Sequence, residues 1–132
     1  MLMTVILIMG CGLLLNYVAV DVKFIPYTLV FLATNLLFTC VMEESFFRGF
    51  LQEHVAQLLA RWKYGAGCSI VLIALLFGLA HYKGGLMFIG LATLAGVFYG
   101  YAKYRVKHIE AAILTHFSVN AVHFVAFTYP NF

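Results

Sequence analysis

Two glutamates stand side by side in this chain, Glu43 and Glu44, with Arg48 four positions beyond the second, at the end of an apolar run. A carboxylate within reach of bilayer hydrocarbon costs about 2.5–3.5 kcal/mol on insertion scales, so such a group is paired or functional. The spacing gives one explanation to each glutamate. On a helix Glu44 and Arg48 are an i,i+4 pair that can neutralise each other. Glu43 lies about 140° round the helix from Arg48 and has no obvious partner, which makes it the candidate reactive group. A carboxylate held partly out of water is an effective proton acceptor near neutral pH.

Two further constellations carry polar chemistry. Phe77-Gly78-Leu79-Ala80-His81 closes another apolar run and sets Phe77 and His81 on one helical face, although a histidine at a helix exit is in itself an ordinary interfacial residue. His116-Phe117-Ser118-Val119-Asn120 puts His116 and Asn120 on one face, and His123 extends it. A histidine beside a carboxamide can polarise a carbonyl and supply donors where negative charge develops. Upstream of Glu43, Thr39 and Asn35 continue its face at intervals of four. Inside lipid that line must look into the bundle or toward a water-filled cavity. For Asn35 and Thr39, interhelical hydrogen bonding explains the pattern on its own.

The elements that must position these residues are helices in a membrane. The 132-residue chain is 64% hydrophobic and 10% charged, with a mean hydropathy of +1.00, leaving too little polar surface for a soluble domain. Runs at Leu2 to Val20, Phe24 to Met42, Gly65 to Tyr82, Leu86 to Tyr101 and Ile109 to Phe127 approach the length of about 20 residues that spans a bilayer. Phe46 to Trp62 is amphipathic, so the expected fold is an all-α transmembrane bundle of five or six helices forming one domain over 1–132. The first run lacks a basic n-region and a cleavage site and is read as a retained helix. Pro26 opens one helix and Pro130 closes another.

Several classes fall away on composition. A net charge of +3 without a continuous basic patch argues against nucleic acid as a partner. Cys11, Cys40 and Cys68 have no paired spacing, which indicates buried thiols and neither disulfides nor a zinc ribbon. Ala92, Gly96 and Gly100 form a small-residue seam read as close packing within the bundle, with dimerisation as the alternative; Ala74 and Gly78 form a second small face. The oligomeric state is open.

Alternating crossings of five such spans place Glu43 and His81 at opposite faces of the bilayer. Two arrangements remove the conflict: Phe46 to Trp62 dips into the membrane as a sixth element, or Glu43 sits mid-membrane in a longer helix. Arg61, Lys63, Lys103, Arg105 and Lys107 share a side in both cases, joined by the N-terminus in the five-span arrangement and by Lys23 in the six-element one.

Glu43-Glu44-x-x-x-Arg48, Phe77-x-x-x-His81 and His116-x-x-x-Asn120, in this order on separate apolar helices, resemble the motifs of the CPBP family, the CAAX-protease and bacteriocin-processing intramembrane proteases of the Abi or Rce1-like group. Phe47-Arg48-Gly49 looks like the usual ending of the first motif, and the similarity covers about residues 35–125. The resemblance implies hydrolysis of a peptide bond in a membrane peptide or lipidated protein substrate, by a multi-pass protein of a prokaryotic cell membrane. It implies that Glu43 and His81 activate water, that His116 and Asn120 stabilise the oxyanion, and that Glu44 and Arg48 hold the first motif in place. Glu43, His81 and His116 are the implied ligands if zinc is bound; with no His-Glu-x-x-His helix present, the expectation is a metal-free site with Zn2+ as the alternative. The chain is short beside many family members, with few helices before the first motif, as a fragment of a longer protein would be. A non-catalytic immunity or scaffold protein of the same fold and a small proton-coupled transporter using Glu43 are the competing functions.

Overall fold

The computed structural model describes residues 1–129, and Pro130 lies outside them. The described residues form five helices, α1 (Leu2–Leu14), α2 (Thr28–Leu58), α3 (Gly65–Ala80), α4 (Gly85–Val106) and α5 (Ile109–Ala126), with a short strand pair, β1 (Ala19–Val20) and β2 (Phe127–Thr128). The all-α bundle is as expected and its helix count is five. α2, α5 and the segment Tyr82–Val106 that contains α4 are long and apolar enough to cross a bilayer, while α1 and α3 are shorter apolar helices. Leu29, Phe38 and Leu86 point outward and are largely exposed, as contact with acyl chains requires. The chain is an integral membrane protein.

The two segments Phe24 to Met42 and Phe46 to Trp62, read separately from sequence, are largely one 31-residue helix, Thr28–Leu58, with Glu43 at its middle. Glu44 and Arg48, at the sequence boundary between the two segments, turn inward and pair with each other, so the helix has no reason to stop there. Two stretches of α2, Asn35–Cys40 and Ser45–Gln52, are wound as π-helix. Their i→i+5 hydrogen bonding takes up more residues per turn than the α-helical 3.6. Alternation of the two windings brings the mean to about four per turn, and Cys40, Glu44, Arg48 and Gln52 fall on one buried line. The face expected at Asn35, Thr39 and Glu43 is only half-buried, so the buried line is displaced from it by one residue.

α2 and α3 form an antiparallel hairpin, and Glu43 and His81 are each nineteen positions from Trp62 at its turn. Equal arms bring the two side chains to the same depth. α3, 16 residues and about 24 Å long, ends level with the middle of α2, which removes the conflict of opposite membrane faces.

α4 returns along α3 in close contact. A Cβ on Gly78 would lie 2.7 Å from the Ile89 carbonyl oxygen, and one on Gly96 would lie 3.2 Å from Ala74 Cα, so both small faces are packed inside the bundle. Phe77, Ala95, Tyr99, Ala112 and Val119 form the core beside them, with Ile8 and Met9 of α1.

Met1 and Met3 share a groove with Arg105 and Val106, so the start of α1 lies with the basic turns. Lys23 is at the other end, donating to the Phe127 carbonyl at 2.8 Å. The start of α1 and the basic turns thus lie at one end of the bundle and Lys23 at the other. β1 pairs antiparallel with β2, Ala19 opposite Thr128 and Val20 opposite Phe127, and clasps the α1–α2 connection to the end of α5.

Candidate active site

His81 caps the C-terminal end of α3, and its Nδ1 donates to the Phe77 carbonyl at 2.8 Å. A carbonyl only accepts, so Nδ1 carries a proton, and in the neutral form of the ring Nε2 then carries a lone pair. Phe77 and Phe88 flank the imidazole at centroid distances of 4.6 and 5.6 Å. Nε2 faces Glu43 Oε2 at 3.9 Å, with the side chains 26% and 30% exposed. That separation is too long for a direct hydrogen bond. Glu43 Oε2 has no hydrogen-bond partner among the described residues. Two acceptors facing across such a gap suit a water molecule that donates to both.

Glu44, one residue on, faces the other way and is fully buried. Its Oε2 lies 3.2 Å from Arg48 Nε, the i,i+4 pair expected from the spacing. Arg48 Nη2 donates to the Gly96 carbonyl at 3.0 Å, and the guanidinium carbon sits 4.4 Å from the Phe77 ring centroid and 5.6 Å from that of Tyr99. One turn on, Gln52 Nε2 donates to the Gly100 carbonyl at 3.2 Å. Glycine at both positions of α4 leaves these carbonyls open to side chains from α2. The second oxygen of Glu44 accepts from His116 Nδ1 at 2.8 Å. The His116 ring stacks on Tyr99, centroids 4.7 Å apart and planes 15° apart, and meets the edge of Phe77 at 5.7 Å.

His116 and Asn120 share a face of α5 as their spacing requires, yet they engage separate partners. Asn120 Nδ2 donates to Asn35 Oδ1 at 3.2 Å and lies 3.8 Å from Cys40 Sγ, while the Cys40 thiol donates to the same Asn35 oxygen at 3.3 Å. Cys40 is buried, as read from sequence, whereas Cys11 and Cys68 are half-buried, and all three are free thiols. His123 turns toward Tyr129, ring centroids 4.7 Å apart. His81, His116 and Asn120 line a cavity of about 110 Å³ whose remaining wall is mostly apolar, with Met9, Leu91 and Val119.

The reading of the sequence missed Tyr99, Gln52 and the link from Glu44 to His116. Gln52 had a signal, since it continues the four-residue spacing of Glu44 and Arg48. Tyr99 had none, because it meets His116 only across the α4–α5 turn.

A zinc centre with catalytic function takes three protein ligands and keeps one open position. Among the described residues no group of three or more His, Cys, Asp or Glu side chains could hold a metal ion. Glu43 and His81 face each other while His116 directs Nδ1 to Glu44, and the three side chains do not gather into one ligand group.

The family model described as type II CAAX prenyl endopeptidase Rce1-like matches residues 25–122. Nothing matches among curated proteins or among solved structures.

Proposed function

The chain belongs to the Rce1-like family of type II CAAX prenyl endopeptidases, and on that premise we propose that it is a multi-pass intramembrane endopeptidase that cleaves a membrane peptide or lipidated protein through a water activated by Glu43 and His81. The observation that carries the reading is the facing pair itself: Glu43 Oε2, without a protein partner among the described residues, opposite the lone pair of His81 Nε2 at 3.9 Å. A water donating one hydrogen to each acceptor directs its own lone pair away from both. As its oxygen bonds to the scissile carbonyl carbon, Glu43 takes the proton. Glu43 then returns that proton to the leaving nitrogen as the C–N bond breaks, yielding an amine and a carboxylic acid that keeps the water's second hydrogen.

The oxyanion formed between these steps needs donors. Asn120 supplies one from Nδ2 and His116 the other from Nε2. Because Nδ1 of His116 already donates to Glu44, donation from Nε2 requires an imidazolium, and the buried Glu44 carboxylate is its counter-charge. Every step uses side chains of the chain and one water, and we assign no metal to it.

The test is cleavage of a fluorogenic farnesylated peptide ending in Cys-aliphatic-aliphatic-X by the purified full chain in detergent, for wild type, Glu43→Gln and His81→Ala, each with and without a strong chelator. Cleavage lost in both variants and kept by wild type in chelator is the expected result. Cleavage retained by Glu43→Gln overturns the assignment of the base, and cleavage by wild type that stops in chelator overturns the metal-free mechanism.

A further inference from the structure

We propose that Asn35 is a positioning residue for the oxyanion site, setting the Asn120 amide so that an N–H, and not its carbonyl oxygen, meets the developing negative charge. The inference rests on the role given to Asn120 above. A carboxamide has two ends of nearly the same shape, one a donor and one an acceptor, so its orientation must be imposed by a partner. Asn35 Oδ1 only accepts. It takes one hydrogen bond from Asn120 Nδ2 at 3.2 Å and one from the Cys40 thiol at 3.3 Å, which occupies both of its lone-pair positions. A reversed Asn120 amide would set oxygen against oxygen and leave a partly buried acceptor unsatisfied. Nδ2 also points to Cys40 Sγ at 3.8 Å, a long contact to a weak acceptor that a developing oxyanion displaces, and Asn120 lines the same cavity as His116.

The winding of α2 creates this cradle. Asn35 and Cys40 are five positions apart, about 140° round an α-helix, and would not share a face there. They are the first and last residues of the π-helical stretch Asn35–Cys40, where i and i+5 come together. Such insertions are often found at functional sites. The same helix therefore orients three reacting groups: Glu43 by carrying it, His116 through Glu44, and Asn120 through Asn35.

The experiment is a double-mutant cycle of Asn35→Leu with Asn120→Ala, read as single-turnover and steady-state cleavage of the farnesylated peptide by the full chain, with thermal unfolding followed in parallel. We expect Asn35→Leu to lower kcat about 10- to 100-fold with KM within about twofold, the scale of a misplaced catalytic group, and to add no loss in the Asn120→Ala background. Asn35→Asp, which keeps an acceptor in the same place, restores most of kcat; a loss as large as that of Asn35→Leu counts against the proposal. Equal losses in both backgrounds, or none in either, overturn it while leaving Asn120 as the oxyanion donor. Wild-type activity of Asn120→Ala removes the oxyanion assignment itself and the inference with it. If Asn35→Leu does not fold, Asn35→Ala enters the same cycle with the same expected outcomes.

Discussion

The Glu44 carboxylate pairs with Arg48 at 3.2 Å through one oxygen and accepts from His116 at 2.8 Å through the other, with both side chains of the Glu44–Arg48 pair fully withdrawn from solvent. One group thereby ties two turns of α2 to each other and to α5. Arg48 extends the tie to α4 through the Gly96 carbonyl. Glu43, the adjacent residue, has none of these attachments, and neighbouring carboxylates thus differ in what their removal should do.

Glu44→Gln leaves Arg48 buried without its counter-charge and should destabilise the fold by about 3–5 kcal/mol. Denaturant unfolding in detergent checks this. The double variant Glu44→Gln/Arg48→Met should recover part of the loss, because it no longer leaves the Arg48 guanidinium buried without its partner.

Glu43→Gln should unfold within about 1 kcal/mol of wild type, since a partly exposed group without a partner contributes little to stability. Its cleavage rate should fall by about 10²- to 10⁴-fold, the usual contribution of general base catalysis. Parallel unfolding and turnover measurements on one preparation separate the two effects.

Gly78→Ala should destabilise by about 1–3 kcal/mol, because its Cβ would approach the Ile89 carbonyl oxygen to 2.7 Å and a packed helix cannot easily move away. Gly90→Ala meets nothing within 4 Å and is the control; it should be neutral or gain up to about 1 kcal/mol from helix propensity. Thermal unfolding of the two variants, side by side, gives the comparison.

Tyr99→Phe keeps the ring that stacks on His116 and approaches Arg48, and should retain most activity and stability. Tyr99→Leu removes the stacking and the ring–cation contact, costing about 1–2 kcal/mol of stability. It should also lower kcat more than it raises KM, as His116 loses the surface that holds its plane. Steady-state kinetics of the two variants test the assignment.

The sequence by itself determined the all-α membrane class, the pairing of Glu44 with Arg48, the Phe77–His81 contact and the shared face of His116 and Asn120. Each of these follows from hydropathy or from spacing within one helix, where covalent geometry keeps residues three or four apart close together. Glu43 and His81 were legible as candidates, but their meeting was not. It depends on α2 running unbroken to Leu58, so that two equal arms fold back about Trp62. The buried line of Cys40, Glu44, Arg48 and Gln52 and the contact of Asn35 with Cys40 depend on π winding, which a reading at 3.6 residues per turn displaces by one position. The links from Glu44 to His116 and from Asn35 to Asn120 join positions 72 and 85 residues apart. Only the tertiary structure could decide them, because a buried polar atom takes whichever partner packing brings within about 3 Å, and no local pattern encodes that neighbour.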